Sequence, residues 1–198
     1  EPRLRGMAPA PEGVLISFEL CSTWAPDFVE AIHRHYTASR GAPPGKKLAW
    51  RIFEGEVLRG FIGLGEPAYK LAPRRRLGLA NARPLPGTVC NFIFRLEQPG
   101  EVLASEILRL WHPAAERDWL LRYGQPIEHW ETLCQPGATR SEVVGACFRK
   151  AGYRSLGLTT GRSARRPPGN THGPRVWVDA PPKLVLYRGP LARQNGTA

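Results

Sequence analysis

The sequence predicts one mixed α/β domain, built on a mixed central sheet with helices on both faces. Short runs of apolar and β-branched residues alternate with longer segments of helical periodicity. Two strand-like runs within 46–69 are joined by Glu54-Gly55-Glu56, which is typical of a hairpin. After residue 88 the order is strand, helix, strand, helix, strand, and this order needs crossover connections over both faces of a sheet. We therefore expect a loose basic arm at 1–13, a domain over 14–191 and a tail at 192–198.

The first predicted elements are a strand at 14–20 and a helix over 22–41. A serine and a threonine at the start of the helix are good caps, and a glycine marks its end. Apolar residues recur at i, i+4, i+7 and i+8, so His35 and Tyr36 lie on the face that points towards the body of the protein.

The rest of the chain alternates between strands and helices, with two basic loops at 70–87 and 161–175. A helical pattern from Val102 stops at Pro113, because proline breaks the hydrogen bonding of a helix interior, and a second helical run follows. The other predicted elements are, in chain order, strands at 88–97 and 127–135, a helix at 140–152 and a strand at 183–191.

The charge of the chain is its most unusual compositional feature. It contains 28 Lys and Arg residues against 17 Asp and Glu residues, which gives a net charge of +11. A surplus of this size attracts polyanions and steers their approach, so we expect DNA as a partner. The alternative is a basic protein that has no polyanionic partner.

The cysteines and the hydropathy exclude other classes of protein. Cys21, Cys90, Cys134 and Cys147 form no CxxC pair and no zinc-like spacing with histidine, so we predict no metal site and a reduced, cytoplasmic compartment. Cys147 is a candidate nucleophile, and the alternative is a buried helix cysteine. No run approaches the roughly 18 apolar residues of a membrane span, so we expect no membrane contact. The oligomeric state is left open.

Two adjacent residues, His35 and Tyr36, are candidates for proton transfer. Histidine exchanges a proton near neutral pH and a neighbouring phenol donates a hydrogen bond, so the pair is able to orient or activate an amine. The alternative is that both side chains are packed on the inner helix face for structural reasons alone.

The strands on either side of the long helix carry further candidates. Asn91 and Arg95 are four residues apart in a period-2 element, so we expect both on one face. An arginine beside a helix N-terminus is suited to a phosphate or carboxylate, although pairing with Glu97 is an alternative. Glu131 is a candidate general base or metal ligand, and its alternative is a charged residue at an exposed strand end.

The segment from Asn91 to Arg162 resembles the cofactor-binding half of GNAT-type acyltransferases, in the order strand, helix, strand, helix. Within it, GACFRKAGYRSLGLTTGR is similar to the Druantia anti-phage protein A family, and the chain also resembles the Mom DNA-modification proteins. The resemblance covers roughly residues 30 to 190. The residues in register with the Druantia pattern are Gly145, Cys147, Arg149, Ala151, Gly157, Thr159, Gly161 and Arg162.

The resemblance implies a splayed pair of central strands where an acyl carrier enters. It implies that Asn91, Arg95 and the helix start near Ser105 hold the donor. The cofactor is left open, because acyl-CoA-binding GNAT proteins have a second glycine where this chain reads EQPGEVLAS with Gly100 alone. Bare backbone amides are needed there to reach a pyrophosphate.

The resemblance also implies a transferase that modifies a nucleobase with a small acyl or aminoacyl-type group, on phage or mobile-element DNA. His35, Tyr36 and Glu131 would then handle protons. Phe148 replaces a tyrosine and Gln135 an aspartate of the related patterns. These departures favour a non-catalytic DNA-binding accessory of a defence system or transposon as the alternative, and a small-amine acetyltransferase is the third candidate. The residues expected to contact DNA are Arg74, Arg75, Arg76, Arg162, Arg165 and Arg166.

Overall fold

The computed structural model describes residues 15–35, 41–68, 70–138, 142–165 and 176–190, and of 162–165 and 176–178 the backbone alone. The helices are α1 (Pro26–His33), α2 (Ala104–Tyr123) and α3 (Ala146–Lys150), and a 3-10 helix covers Ala72–Leu77. The strands are β1 (Ile16–Cys21), β2 (Lys47–Glu54), β3 (Val57–Gly65), β4 (Thr88–Leu96), β5 (His129–Cys134), β6 (Arg154–Leu158), β7 (Arg162–Arg165), β8 (Val176–Asp179) and β9 (Leu184–Arg188).

Seven strands form one mixed sheet in the order β1-β2-β3-β4-β5-β9-β6. The central pair β4 and β5 is parallel, and the other neighbours are antiparallel. The predicted hairpin forms β2 and β3, with Gly55 in the turn at a φ of 61°. The sheet is therefore mixed, as the order of the sequence patterns predicted.

Helices cover both faces of the sheet, which confirms the predicted architecture. On one face, Phe28 and Ile32 of α1 pack with Phe61 and Ile93 of the sheet. On the other face, α2 contributes a continuous buried stripe that packs with α3 and strand residues. This stripe consists of Ile107, Leu108, Trp111, Ala115 and Trp119.

The helix α2 runs through Pro113 without a break, so the predicted stop there is wrong. The proline ring removes one backbone hydrogen bond and crowds the preceding turn, which disfavours a helix. The apolar stripe on either side of the proline is nonetheless fully packed against the sheet. Burial of side chains such as Trp111 and Trp119 outweighs the missing hydrogen bond.

Other element boundaries also differ from the prediction. The helix α1 ends at His33, where Arg95 Nη1 donates to the carbonyl of Arg34 at 3.0 Å. Part of the predicted loop 70–87 is the 3-10 helix, because its leucines pack on β6 and β9. Strand β6 was not predicted, and the predicted loop 161–175 begins with β7, which pairs with β8. The helix predicted at 140–152 is α3, and residues 139–141 lie outside the described part of the chain.

Candidate active site

A small pocket opens where the central parallel strands separate. Strands β4 and β5 pair only from Thr88 with His129 to Asn91 with Thr132, although both strands continue. The separation agrees with the splayed pair implied by the resemblance. The cavity volume is about 20 Å³, and the lining residues are His35, Asn91, Phe92, Phe94, Thr132, Leu133 and Phe148.

A β-bulge at Phe92 shapes this pocket. Gly63 pairs with Ile93 and the next residue of β3 pairs with Asn91, so Phe92 is an extra residue on β4. The bulge turns Phe92 towards the α1 face and Phe94 towards the α2 face. The regular period-2 alternation expected along this strand is therefore wrong.

The Asn91 side chain stabilises the bulge. Its Nδ2 donates to the main-chain carbonyls of Gly63 at 3.0 Å and Ile93 at 2.9 Å, and the main-chain carbonyl of Asn91 accepts from Thr132 Oγ1 at 3.2 Å. These bonds satisfy main-chain groups that the bulge removes from the ladder. Asn91 therefore lines the pocket, and its hydrogen bonds hold the main chain of β3 and β4 in place there.

His35 lies just after the end of α1 and lines the pocket, with an exposed fraction of 7%. Burial, reinforced by the positive charges of Arg95 and Lys183, lowers its pKa from 6.5 to about 4. A hydrogen bond to the main chain of Phe94 opposes this shift in part. At neutral pH the imidazole is therefore uncharged. Lys183 was not predicted near this site, and Tyr36 lies outside the described residues.

Arg95 joins the end of β4 to the end of α1. Its Nε donates to Glu97 Oε1 at 2.9 Å and its Nη1 to the carbonyl of Arg34, whose own guanidinium also contacts Glu97 at 2.8 Å. The pairing with Glu97 is the alternative that the sequence left open. Arg95 therefore acts on the pocket through its charge beside His35 and through the position of the α1 terminus.

Glu131 is buried and forms a two-pronged ion pair with Arg74. Arg74 Nε donates to Glu131 Oε1 at 2.7 Å and Nη2 to Oε2 at 2.6 Å, and the exposed fractions of the side chains are 0% and 2%. Arg74 Nη1 also donates to the carbonyls of Ala68 and Ala82. The expected DNA contact by Arg74 is therefore wrong, because this side chain does not reach the surface. The expected role of Glu131 as a base is corrected as well, since both carboxylate oxygens are already bonded.

The helix start near Ser105 is also different from the expectation. Ser105 is buried in the first turn of α2, and main-chain amides before it are bonded within the protein. Glu54 Oε1 accepts from the amides of Glu101 at 2.9 Å and Val102 at 3.2 Å, and Glu106 Oε2 accepts from Leu103 at 3.2 Å. These bonds occupy three amides before the helix, and donor binding at Ser105 itself stays a prediction.

A second histidine–tyrosine pair lies behind the pocket and was not predicted. His112 Nε2 and Tyr153 OH are 3.0 Å apart, and the Tyr153 ring packs on Phe148, which lines the pocket. Burial lowers the pKa of His112 to about 3 and raises the pKa of Tyr153. Burial also raises the pKa of Cys147, which disfavours the thiolate that a nucleophile needs. His112 and Tyr153 are 41 residues apart, so only the fold brings them together.

Part of the predicted basic surface is present. Arg75 and Arg76 are exposed on the 3-10 helix, and the Arg76 guanidinium lies against Gly157 of β6. Arg162 and Arg165 belong to β7, of which only the backbone is described, and Arg166 lies outside the described residues. Within the described ranges no group of three His, Cys, Asp or Glu side chains has the arrangement of a metal site. No described helix is long and apolar enough to cross a membrane.

Comparison with solved structures identifies the architecture. A Bacillus subtilis acetyltransferase crystallised with CoA superposes with a TM-score of 0.52 over 89% of this chain and 100% of its own, at 11% sequence identity. The fold is GNAT-like. An aminoglycoside N-acetyltransferase gives a TM-score of 0.47 at 14% identity, covering 88% of this chain and 96% of its own. A Salmonella typhimurium acetyltransferase that modifies the N-terminal serine of a 50S ribosomal subunit protein gives 0.42 at 12% identity, covering 73% and 64%.

The comparison supports the fold, and the activity has to be argued from the residues of the site. No protein-family model matches the sequence, and no curated protein matches it either. At 11% identity, the shared GNAT-like fold carries no residue role from one chain to the other. The relationship to the Mom and Druantia families stays a prediction.

Proposed function

We propose that this protein is a GNAT-like transferase that places a small acyl or aminoacyl-type group on an exocyclic amine of a DNA base. Three features support this proposal: the fold, the pocket between β4 and β5, and the net charge of +11. At about 20 Å³ the pocket is far smaller than the roughly 300–1,000 Å³ that encloses a whole drug-sized ligand, so a donor and an acceptor would reach it only with their reacting ends.

The observation that carries the proposal is the buried position of His35 in the pocket, where burial lowers its pKa to about 4. An alkyl amine such as lysine has a pKa of about 10.4 and must first lose a proton before it can attack. A histidine with a pKa of about 4 is too weak a base for that step. The exocyclic amine of adenine or cytosine is already uncharged at neutral pH, and its nitrogen becomes strongly acidic once it attacks a carbonyl carbon. His35 then needs only to accept that proton while the carrier leaves with the bonding electron pair.

The surface charge supports DNA as the carrier of this amine. Arg75 and Arg76 are exposed beside the edge strand β6, on the same side of the sheet as the buried Glu131. Guanidinium groups on a surface contact phosphates and position a nucleic acid without reading its sequence. Because the amine of a paired base lies inside the duplex, the base must be flipped out or presented on a single strand.

The non-catalytic DNA-binding accessory is the second candidate. Arg74 holds both oxygens of Glu131, and Phe148 occupies the pocket where a phenol would supply a proton. Each feature removes one of the proton-transfer groups that the resemblance implies. Among the described residues, His35 is then the candidate for proton transfer that remains.

Nucleoside mass spectrometry tests the proposal. DNA from cells that express the protein should contain a nucleoside with the added mass of an acyl or aminoacyl-type group, and DNA from cells without it should not. The new mass identifies both the base and the group. If the DNA carries no new nucleoside while the purified protein still binds DNA, the accessory function replaces the proposed one.

The proposal also predicts how DNA binding depends on salt. Affinity should fall steeply as salt rises, because each phosphate contact releases condensed counterions, with a log–log slope of about −0.9 per contact. Changing Arg75 and Arg76 to Glu should weaken binding further and flatten this slope. Fluorescence anisotropy with a labelled duplex at several salt concentrations measures both effects.

A matched control separates a DNA-binding face from net charge. Arg117 and Arg122 are exposed on α2, on the opposite face of the sheet, and their change to Glu alters the net charge by the same amount. This control should bind DNA more tightly than the Arg75 and Arg76 variant. Equal losses of DNA affinity in the two variants, or an affinity that does not change with salt concentration, would contradict the proposed surface.

A further inference from the structure

The connection from β4 to α2 directs its main-chain amides to partners within the protein. The amides of Glu97 and Gln98 donate to the carbonyl of Arg59 at 2.8 and 3.4 Å. Those of Glu101 and Val102 donate to Glu54 Oε1. Proline at position 99 has no amide proton. The loop therefore presents the chain's own oxygen atoms where a phosphate-binding loop presents bare N–H groups.

Glu54 is held in place by a buried cation. Its carboxylate forms an ion pair with Arg59, and the exposed fractions of the two side chains are 11% and 4%. Arg59 Nε also donates to the carbonyl of Gln98 at 3.0 Å. Gly100 lies directly against this pair, since a Cβ there would overlap both Arg59 Nη1 and Glu54 Oε2. The single glycine of the loop thus makes space for the internal pair.

The charge around the loop opposes a second anion. A diphosphate at the start of α2 would have to bind the amides of Glu101 and Val102. The Glu54 carboxylate already accepts hydrogen bonds from these amides, so the diphosphate would lie next to a negative charge. Glu101 lies in the loop and Glu106 in the first turn of α2, and Glu106 Oε2 already accepts from the amide of Leu103. Like charges at this spacing repel each other, and the nearby cation Arg59 is already paired with Glu54.

The opening next to the loop has the same character. Its volume is about 400 Å³, with apolar walls from Leu15, Val57 and Pro99, carboxylates from Glu54 and Glu101, and the guanidinium of Arg59, which is paired with Glu54. An apolar surface with an acidic border suits an uncharged or cationic group and disfavours an anionic one.

We infer that Glu54 occupies the diphosphate position of this GNAT-like fold, so that the chain takes its group from a donor other than CoA, one whose carrier is uncharged or cationic at this loop. The inference deepens the proposed function and rests on it for the existence of a donor. The contacts of Glu54 and Arg59 with the loop do not depend on that function. CoA does not fit the residues present, and no step of the transfer is assigned to it.

Calorimetric titration of the purified protein tests the inference directly. Wild-type protein should show no saturable binding of CoA or of inorganic pyrophosphate up to about 1 mM, the range of weak ligands. Glu54→Ala frees two adjacent amides and leaves Arg59 available to an anion. This variant should bind pyrophosphate at least about tenfold more tightly than wild type, because charge-assisted hydrogen bonds to phosphate replace those to the carboxylate.

Two further variants keep the test decisive. Glu54→Gln preserves the shape and removes the charge, so it should fold and gain a smaller part of the pyrophosphate affinity. Glu101→Gln removes the same charge from the same loop, but its side chain accepts neither amide, so it should gain nothing. Melting temperatures establish that each variant is folded.

The outcomes separate this inference from the proposed function. Micromolar binding of CoA by the wild-type protein would overturn the inference and leave base modification intact. Folded Glu54 variants that gain no pyrophosphate affinity, or an equal gain in Glu101→Gln, would also overturn it. Absence of a modified nucleoside together with the expected gain in the Glu54 variants would reject the proposed function and leave the assignment of the loop in place.

Discussion

Replacing Arg74 by Met should lower the free energy of unfolding by about 3–5 kcal/mol, the usual loss when one partner of a buried ion pair is removed. Glu131 would then be a buried carboxylate without its cation, and the carbonyls of Ala68 and Ala82 would lose a donor. Glu131→Leu should cost a similar amount, because it leaves a buried guanidinium unpaired. Urea unfolding followed by tryptophan fluorescence measures both changes.

Two controls define the meaning of this result. The double variant with Arg74→Met and Glu131→Leu should recover part of the loss, since no unpaired charge stays buried. Arg51→Met breaks more exposed pairs with Glu19 and Asp27 and should cost less than about 1 kcal/mol. If Arg74→Met unfolds no more easily than Arg51→Met but abolishes DNA binding, then Arg74 is a DNA contact after all.

Replacing His35 by Asn should reduce base modification by about 10²- to 10⁴-fold, the scale for losing a general base. Asparagine retains a polar, uncharged group in the pocket and cannot accept a proton near neutral pH. DNA affinity and melting temperature should stay close to those of wild type, because the imidazole is already uncharged in the folded protein. Nucleoside mass spectrometry of modified DNA against time measures the rate.

The pH profile provides a readout that a purely structural role would not change. With the pKa of His35 at about 4, the wild-type rate should show no ionisation of this group between about pH 6 and 8. His33→Asn is a matched control, because His33 lies two residues away and is exposed in the last turn of α1. Its rate should be unchanged. A His35→Asn variant that loses stability and retains activity would make this residue structural.

Local patterns predicted the architecture because they repeat over short stretches of chain. The hairpin around Gly55 requires a turn residue and two flanking apolar runs, all within about 20 residues. The same holds for the strands that became β4 and β5, whose apolar alternation marks them as sheet. The prediction failed at Pro113, where the local signal for a stop is strong. There the gain from packing a long apolar stripe on the sheet exceeds the cost of one lost hydrogen bond.

The candidate site was predicted less well, because its residues meet across long sequence distances. His35 and Asn91 were expected at the site, and the structure places both in the pocket. The bulge at Phe92 was missed, because a strand with one extra residue still has the apolar pattern of a strand. The extra residue makes the side chains after it point to the opposite face of the sheet. Arg74 was expected at the DNA-binding surface because the two residues after it are also arginines, and those two side chains are indeed exposed.

The sequence by itself determined the fold class, the positive charge and two residues of the pocket. Each of these follows from composition or from a periodicity that neighbouring residues share. Only the tertiary structure decided which charged groups face a ligand and which face each other. Arg74 and Glu131 are 57 positions apart, and Glu54 lies 47 positions before the amide of Glu101 that it binds. The register of the strands and the path of the loops bring such pairs together, and no local sequence pattern predicts these contacts.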